Sequence, residues 1–198
     1  MDVYLINLDR REDRLKSFDM GAKLAGVRYK RIPAVDGKDL NTKKYWFSKY
    51  DVRYLKRGEI GCYLSHYKAF EKSTKDTVMV FEDDAKIPYD FWWRYKIVTK
   101  HLPDDWDIAL LGTTSLWQRK YKQKCHLKWE NEYWARYEGD IYGLHGYIVK
   151  REAIQFMKDC KFPIDAPCDV KFSNLGLNVY VVKEDLVGSH RLGSETQN

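Results

Sequence analysis

Three carboxylates in a row, Glu82, Asp83 and Asp84, follow the apolar run from Thr77 to Phe81 and give the sequence its sharpest chemical signal. Adjacent carboxylates repel one another unless a cation, an array of hydrogen-bond donors or water offsets their charge. Two readings stay open. The acids stand at the end of a central strand and share Mg²⁺ or Mn²⁺ with phosphate oxygens, as oxygen-rich sites for these ions commonly do, or they form an exposed loop in which Asp84 caps a turn. Ser65 and His66 suggest a nucleophile and its base. Adjacent helix positions point about 100° apart, however, so the two do not pair readily and a serine hydrolase is rejected. Further on, Trp117, Tyr121, Trp129, Tyr133 and Trp134 stand among Arg119, Lys120, Lys122, Lys124 and Lys128. Flat rings pack on the apolar faces of sugars; they also stack on nucleic-acid bases or build a small satellite core.

These residues need elements to position them. Val3 to Leu8 reads as a buried strand, and Asp9 with Glu12 three residues later is an N-cap signal for a helix carrying Leu15, Phe18, Ala22 and Ala25. Tyr29 to Ile32 reads as a second strand that ends in the turn at Asp36-Gly37. Gly58 to Lys72 is predicted as a helix, because Ile60, Tyr63, Leu64, Tyr67 and Phe70 form an apolar stripe. Cys62, Ser65, His66 and Ala69 lie on the face beside that stripe. Thr77 to Phe81 and Trp106 to Leu111 read as strands, with a helix marked by Phe91, Tyr95, Val98 and Leu102 between them. Ser115 to Glu138 loses the pattern and reads as a long functional excursion. Tyr147 to Val149, the helix from Arg151 to Lys158 and the strand from Asn178 to Val182 resume it. Alternating strands and helices predict an α/β domain with a mostly parallel central sheet flanked by helices, and ligands gather at the carboxyl ends of strands in such sheets.

A chain of 198 residues with 44% hydrophobic residues buries a real core, which sets the expectation of one domain over 1–198. Its first half, 1–112, would bind donor and metal, and 113–198 would hold the acceptor and the catalytic groups. The net charge of +6 favours anionic partners, among which charge alone does not choose. Cys62, Cys125, Cys160 and Cys168 form no CxxC pair and read as reduced thiols. Nothing at the N-terminus resembles a signal peptide, and no segment approaches the ~20 apolar residues of a membrane helix. The expectation is a soluble cytoplasmic protein without an integral membrane segment, open to peripheral membrane association.

Taken together, several segments resemble glycosyltransferase family 25, the lipooligosaccharide and procollagen galactosyltransferase-like enzymes. They run from Val3-Tyr4-Leu5-Ile6-Asn7-Leu8-Asp9-Arg10-Arg11 with Asp13-Arg14, through Ala34-Val35-Asp36-Gly37 and Gly58 to His66, to Phe81-Glu82-Asp83-Asp84. Gly143 to Tyr147, Pro163-Ile164-Asp165 and a C-terminal stretch with His190 and Gly193-Ser194 complete the set. The resemblance implies a fold of the GT-A type, a UDP-galactose or UDP-glucose donor and inversion at the anomeric carbon. It makes the acidic triplet the counterpart of an Asp-x-Asp motif, with Asp84 as direct metal ligand and Glu82 or Asp83 touching ribose, sugar or metal-bound water. His190 becomes a further metal ligand or phosphate contact, unless it is a surface histidine in a Gly/Ser tail.

On that reading Arg10, Arg11 and Arg14 fork onto phosphates or, for at least one of them, form a solvated helix face. Asn7 and Leu8 contact the base through backbone groups, and Asp36 bonds a ribose hydroxyl or merely shapes a tight turn. Gly61, Ser65 and His66 pack beside the donor or order the triplet, with a satisfied core histidine as the alternative for His66. Inversion needs a general base, for which Asp165, between two prolines, and Asp169 are the candidates, N-capping being the other use of Asp169. Trp117, Tyr121, Gly146 and Tyr147 are assigned to the acceptor.

The expected function is therefore a metal-dependent hexosyltransferase acting on a glycan or glycoprotein, with Mn²⁺ or Mg²⁺ as cofactor. A catalytically silent glycan-binding or scaffolding relative is the first rival. A basic nucleic-acid-binding protein is the second.

Overall fold

The computed structural model describes residues 1–40, 55–112, 125–140 and 143–189. Its strands are β1 (Asp2–Asn7), β2 (Lys30–Pro33), β3 (Thr77–Glu82), β4 (Ala85–Lys86), β5 (Ile108–Leu110), β6 (Cys125–Trp129), β7 (Trp134–Gly139), β8 (Gly146–Lys150), β9 (Val179–Val182) and β10 (Gly188–Ser189). Its α-helices are α1 (Glu12–Leu24), α2 (Arg57–Lys72), α3 (Phe91–Thr99), α4 (Arg151–Asp159) and α5 (Cys168–Ser173), joined by a short 3₁₀ turn at Gly37–Asp39. An eight-stranded sheet in the order β2-β1-β3-β8-β5-β9-β7-β6 forms the centre, and β4 and β10 make a separate two-stranded ribbon.

The expected α/β architecture is the one observed. β2, β1, β3, β5, β9 and β6 run one way, and only β8 and β7 run against them. Sequence reading missed where β8 lies. It inserts antiparallel between β3 and β5, with Val80 opposite Tyr147 and Ala109 opposite Ile148, so the two halves of the chain share one sheet.

Strand side chains alternate between the two faces of a sheet. Tyr4, Ile6, Val78 and Val80 face the layer built by α2, α4 and α5, where Tyr63, Tyr67, Phe70, Met157 and Phe172 are buried. Leu5, Met79, Phe81 and Ile148 face the layer built by α1 and α3, with Phe18, Ala22, Phe91 and Val98. The predicted α2 stripe of Ile60, Tyr63, Leu64, Tyr67 and Phe70 is buried throughout, each full burial of an Ile, Leu or Phe contributing roughly 1.5–3 kcal/mol.

Two expectations about local structure are corrected. Asp9 does not cap α1, whose N-cap is Arg11 with no side-chain hydrogen bond; Asp9 instead accepts from Arg31 Nη2. The supposed excursion contains the antiparallel hairpin β6–β7. Its turn is set by Asn131 Oδ1, which accepts from the backbone N–H groups of Tyr133 and Trp134. Trp134 is fully buried, donating from Nε1 to Val98 O at 2.8 Å, and so is a core residue and not a sugar platform. Among the described residues no helix is long and apolar enough to cross a membrane.

Candidate active site

The alternation that sorts the core also sorts the acidic triplet. Glu82 continues the Val78–Val80 face toward α2, and Asp83 continues the Met79–Phe81 face toward α1. Asp83 Oδ1 accepts from Arg14 Nη1 and Oδ2 from Asn7 Nδ2, both at 2.8 Å and both buried. Asn7 is itself fully engaged: Nδ2 also donates to Arg11 O, and Oδ1 accepts from Arg31 Nε at 2.9 Å. Arg14, expected to reach a phosphate, is therefore buried in the α1 interface, and the side chains of Asn7 and Asp83 are engaged in the same framework.

Glu82 is held from the other side. Its Oε1 lies 3.0 Å from His66 Nε2, and His66 Nδ1 lies 2.8 Å from the Tyr147 hydroxyl. A carboxylate only accepts, so the arrangement assigns the Nε2–H tautomer to His66, with Tyr147 donating to Nδ1. Burial pushes Tyr147 well above the usual phenol range, so it keeps the proton it donates. Burial would raise the Glu82 carboxyl, but the hydrogen bond from His66, helped by the charge of Arg14, holds it below its ordinary value. Cys62, one turn before His66, has its Sγ 3.9 Å from the same Glu82 oxygen.

Asp84 differs from its neighbours. Its Oδ1 is buried and has no hydrogen-bond partner among the described residues. Burial, with the charge of Glu82, pushes its carboxyl up to about 7, while Arg14 pulls the other way. A buried carboxyl oxygen left open beside a second acid can be offset by a proton or by a cation, and its oxygen donors would suit a hard divalent ion such as Mn²⁺ or Mg²⁺. The residues present fit the expected metal.

Asp169, in the first turn of α5, lies on the same side: its charge acts on Cys62, and Glu82 raises its carboxyl in turn. Burial is the largest cause of that rise, opposed by the N–H groups of Gly143 and Val170 at 3.2 and 2.9 Å. It is not the helix cap, a position held by Pro167. Asp165 is not brought to this cluster. It is exposed and pairs with Lys171 Nζ at 2.7 Å.

The other expected site residues have these places in the fold. A Cβ on Gly61 would meet Val35 O at 2.6 Å and Gly37 N at 2.9 Å, so its role is to let α2 approach the 34–37 turn. Ser65 Oγ fastens the same approach, accepting from Val35 N and donating to Gly61 O. Gly146 and Tyr147 are buried in β8 and offer no acceptor surface. Leu8 accepts Arg11 N–H through its carbonyl. Arg10 Nε pairs with Asp36 Oδ2 at 2.6 Å, and Asp36 Oδ1 caps the 3₁₀ turn through Lys38 N. Arg11 forks onto the exposed Asp13. Trp117, Tyr121 and His190 lie outside the described residues.

Sequence reading missed three residues of this region. Arg31 braces Asn7. Cys62 was visible only as an i, i+4 neighbour of His66. His145 is buried, with Nε2 donating to Val187 O at 3.0 Å and Nδ1 lacking a hydrogen-bond partner among the described residues; only its place in the run Gly143 to Tyr147 hinted at it.

Residues 1–171 match the family model described as glycosyltransferase family 25 (LPS biosynthesis protein). A glycosyltransferase 25 family member from Anopheles gambiae is 31% identical over an alignment covering 87% of this chain and 32% of that protein. Procollagen galactosyltransferase 2 from Homo sapiens is 28% identical, with 78% and 26% covered. The chain thus spans about a third or less of the length of these curated relatives. A crystal structure of a Drosophila beta-1,4-galactosyltransferase 7 mutant with manganese, UDP-Gal and xylobiose superposes with a TM-score of 0.46 at 14% identity, covering 96% of this chain and 70% of that one.

Proposed function

The chain belongs to glycosyltransferase family 25, and from that premise we propose that it is an inverting hexosyltransferase moving galactose or glucose from a UDP-sugar to a hydroxyl of a glycan or glycoprotein. The sheet serves as a GT-A-type nucleotide-sugar domain, with Mn²⁺ or Mg²⁺ at the tip of β3. Asp84 carries the reading: a buried carboxylate oxygen without a partner among the described residues, on a group pushed up to about 7, is stabilised by a bound cation. The family's LPS-biosynthesis description and the galactosyltransferase names of its relatives support a sugar donor and a glycan or glycoprotein acceptor.

A divalent ion bound there supplies positive charge against the leaving diphosphate. Asp84 would hold it, with the neighbouring Glu82 carboxylate adding negative charge beside it. Tyr147 and His66 fix the aim of Glu82. Arg14 and Asn7 anchor Asp83, which sets the turn that presents Asp84. Asp169, with its raised carboxyl beside Glu82, takes the proton of the acceptor hydroxyl, and Asp165, bonded to Lys171, is left out. Arg10, Arg11 and Asp36 form a charged rim suited to phosphate and ribose, while His190, Trp117 and Tyr121 keep their assigned roles at the metal and the acceptor.

The test is turnover of UDP-galactose and UDP-glucose, with and without manganese, in the wild type and in Asp84→Ala. Metal-dependent release of UDP that the substitution abolishes supports the reading. Turnover that survives Asp84→Ala, or no response to any UDP-sugar, sinks it.

A further inference from the structure

Cys62 and His66 stand at positions i and i+4 of α2, one above the other on the helix face turned toward the tip of β3. Glu82 meets them there. Cys62 Sγ, a ring nitrogen of His66 and a Glu82 oxygen all lie within 4.8 Å of one another, with His66 Nε2 to Glu82 Oε1 at 3.0 Å and Cys62 Sγ to the same oxygen at 3.9 Å. In a tetrahedral zinc site with bonds of about 2.0–2.3 Å, neighbouring ligand atoms stand about 3.3–3.8 Å apart. The three atoms reach those separations by shifts of about an ångström or less.

We propose that Cys62, His66 and Glu82 form a binding site for a borderline-soft divalent cation of the zinc class, distinct in chemistry from the oxygen site at Asp84. The ligand types carry the distinction. Thiolate and imidazole select Zn²⁺ over Mn²⁺ or Mg²⁺, which take carboxylate and water oxygens. Three protein ligands leave a fourth tetrahedral position for water.

The proton balance closes. In the metal-free state Nε2 of His66 carries its proton toward Glu82, and burial, with the nearby carboxylates, keeps the Cys62 thiol protonated. When zinc binds, the thiol proton leaves to solvent as the Zn–S bond forms, since a coordinating thiol is deprotonated outright. The His66 proton moves to Nδ1, and the Tyr147 hydroxyl 2.8 Å away, which keeps its own proton, turns from donor to acceptor of that N–H. A neutral imidazole so braced through its other nitrogen is the usual form of a zinc-bound histidine.

The site stands on these three side chains whatever sugar is transferred. Under the transferase reading it has a consequence: the carboxylate that steadies the Asp84 site is taken by zinc, and zinc inhibits. Sugar transfer without zinc binding, or zinc binding without sugar transfer, tells the two proposals apart.

Anaerobic titration of the protein with Co²⁺, as a spectroscopic substitute for zinc, tests the site. The expected result is a thiolate-to-cobalt charge-transfer band in the near ultraviolet that saturates at one equivalent and is bleached by Zn²⁺. Cys62→Ser loses the band; Cys160→Ser, a free thiol elsewhere in the fold, keeps it. Zinc X-ray absorption on the unsubstituted protein gives a reading that needs no variant, with one sulfur and otherwise nitrogen or oxygen neighbours expected. No band in the wild type, a band unchanged by Cys62→Ser, or a zinc shell with no sulfur or more than one overturns the proposal.

Discussion

Arg14 and Asp83, 69 residues apart in the chain, form a buried ion pair at 2.8 Å with side chains only 8% and 9% exposed. It joins the first turns of α1 to the end of β3. Asp83 also receives Asn7, so its charge is matched by one cation and one amide. Removing one member leaves the other charge buried and unpaired. Arg14→Ala is expected to cost about 3–5 kcal/mol of unfolding free energy, read from urea denaturation at neutral pH. A cost below about 1 kcal/mol, the usual size for exposed pairs, would show that the pair is not sealed from water.

Asp84 makes stability depend on pH with an unusual sign. In the unfolded chain it loses its proton near 3.8, and in the folded chain near 7, because burial and Glu82 oppose its charge. Between those values the folded state holds the extra proton, so stability falls as pH rises through this window. In metal-free buffer Asp84→Asn should therefore melt at a higher temperature than the wild type at pH 8, with the gap closing near pH 4. It should also lose metal-dependent turnover. Equal melting curves at pH 8 would refute the burial of this charge.

Asp169 is the proposed proton acceptor, and Asp169→Asn should lower kcat about 10²–10⁴-fold, the usual contribution of a general base, with donor binding little changed. Its carboxyl is raised by burial and by Glu82, and the base works deprotonated. The acid limb of the rate profile should thus lie above the ordinary aspartate range. A rate unaffected by the substitution would move the role elsewhere.

Gly61 is tested by its smallest replacement. The Cβ of Gly61→Ala meets Val35 O at 2.6 Å and Gly37 N at 2.9 Å, both backbone atoms that cannot swing away. Forced separation of α2 from the 34–37 turn should cost roughly 1–3 kcal/mol, measured by chemical denaturation. Unaltered stability would mean that the turn moves freely.

Much of the fold was legible because periodicity reports burial. Ile60, Tyr63, Leu64, Tyr67 and Phe70 announce α2, and the β-branched run into Glu82 announces β3. The hairpin β6–β7 was obscured because Trp134 and Tyr137 are buried on opposite faces of β7 while Arg136 and Glu138 reach solvent between and beyond them, a mixture that resembles a binding surface when contacts are unseen. The site divided the same way. That the triplet ends a central strand could be read; that Glu82 and Asp83 face opposite layers follows from alternation along β3 once the layers on its two sides are known. That Arg14 and Asn7 would be consumed by Asp83, leaving Asp84 as the open acid, depends on contacts across 69 and 76 residues that no local pattern records.

The placement of β8 has a bearing on how the molecule assembles. Synthesis delivers Val80 long before Tyr147, the residue it must sit against, and until then β3 exposes an unsatisfied hydrogen-bonding edge to other chains. Contacts between such distant stretches slow folding and prolong the life of sticky intermediates. Tyr147 also steadies Glu82 through His66, so the cluster is assembled only once this late strand has docked. A nascent chain stalled before residue 146 would carry the acidic triplet without the partner that organises it.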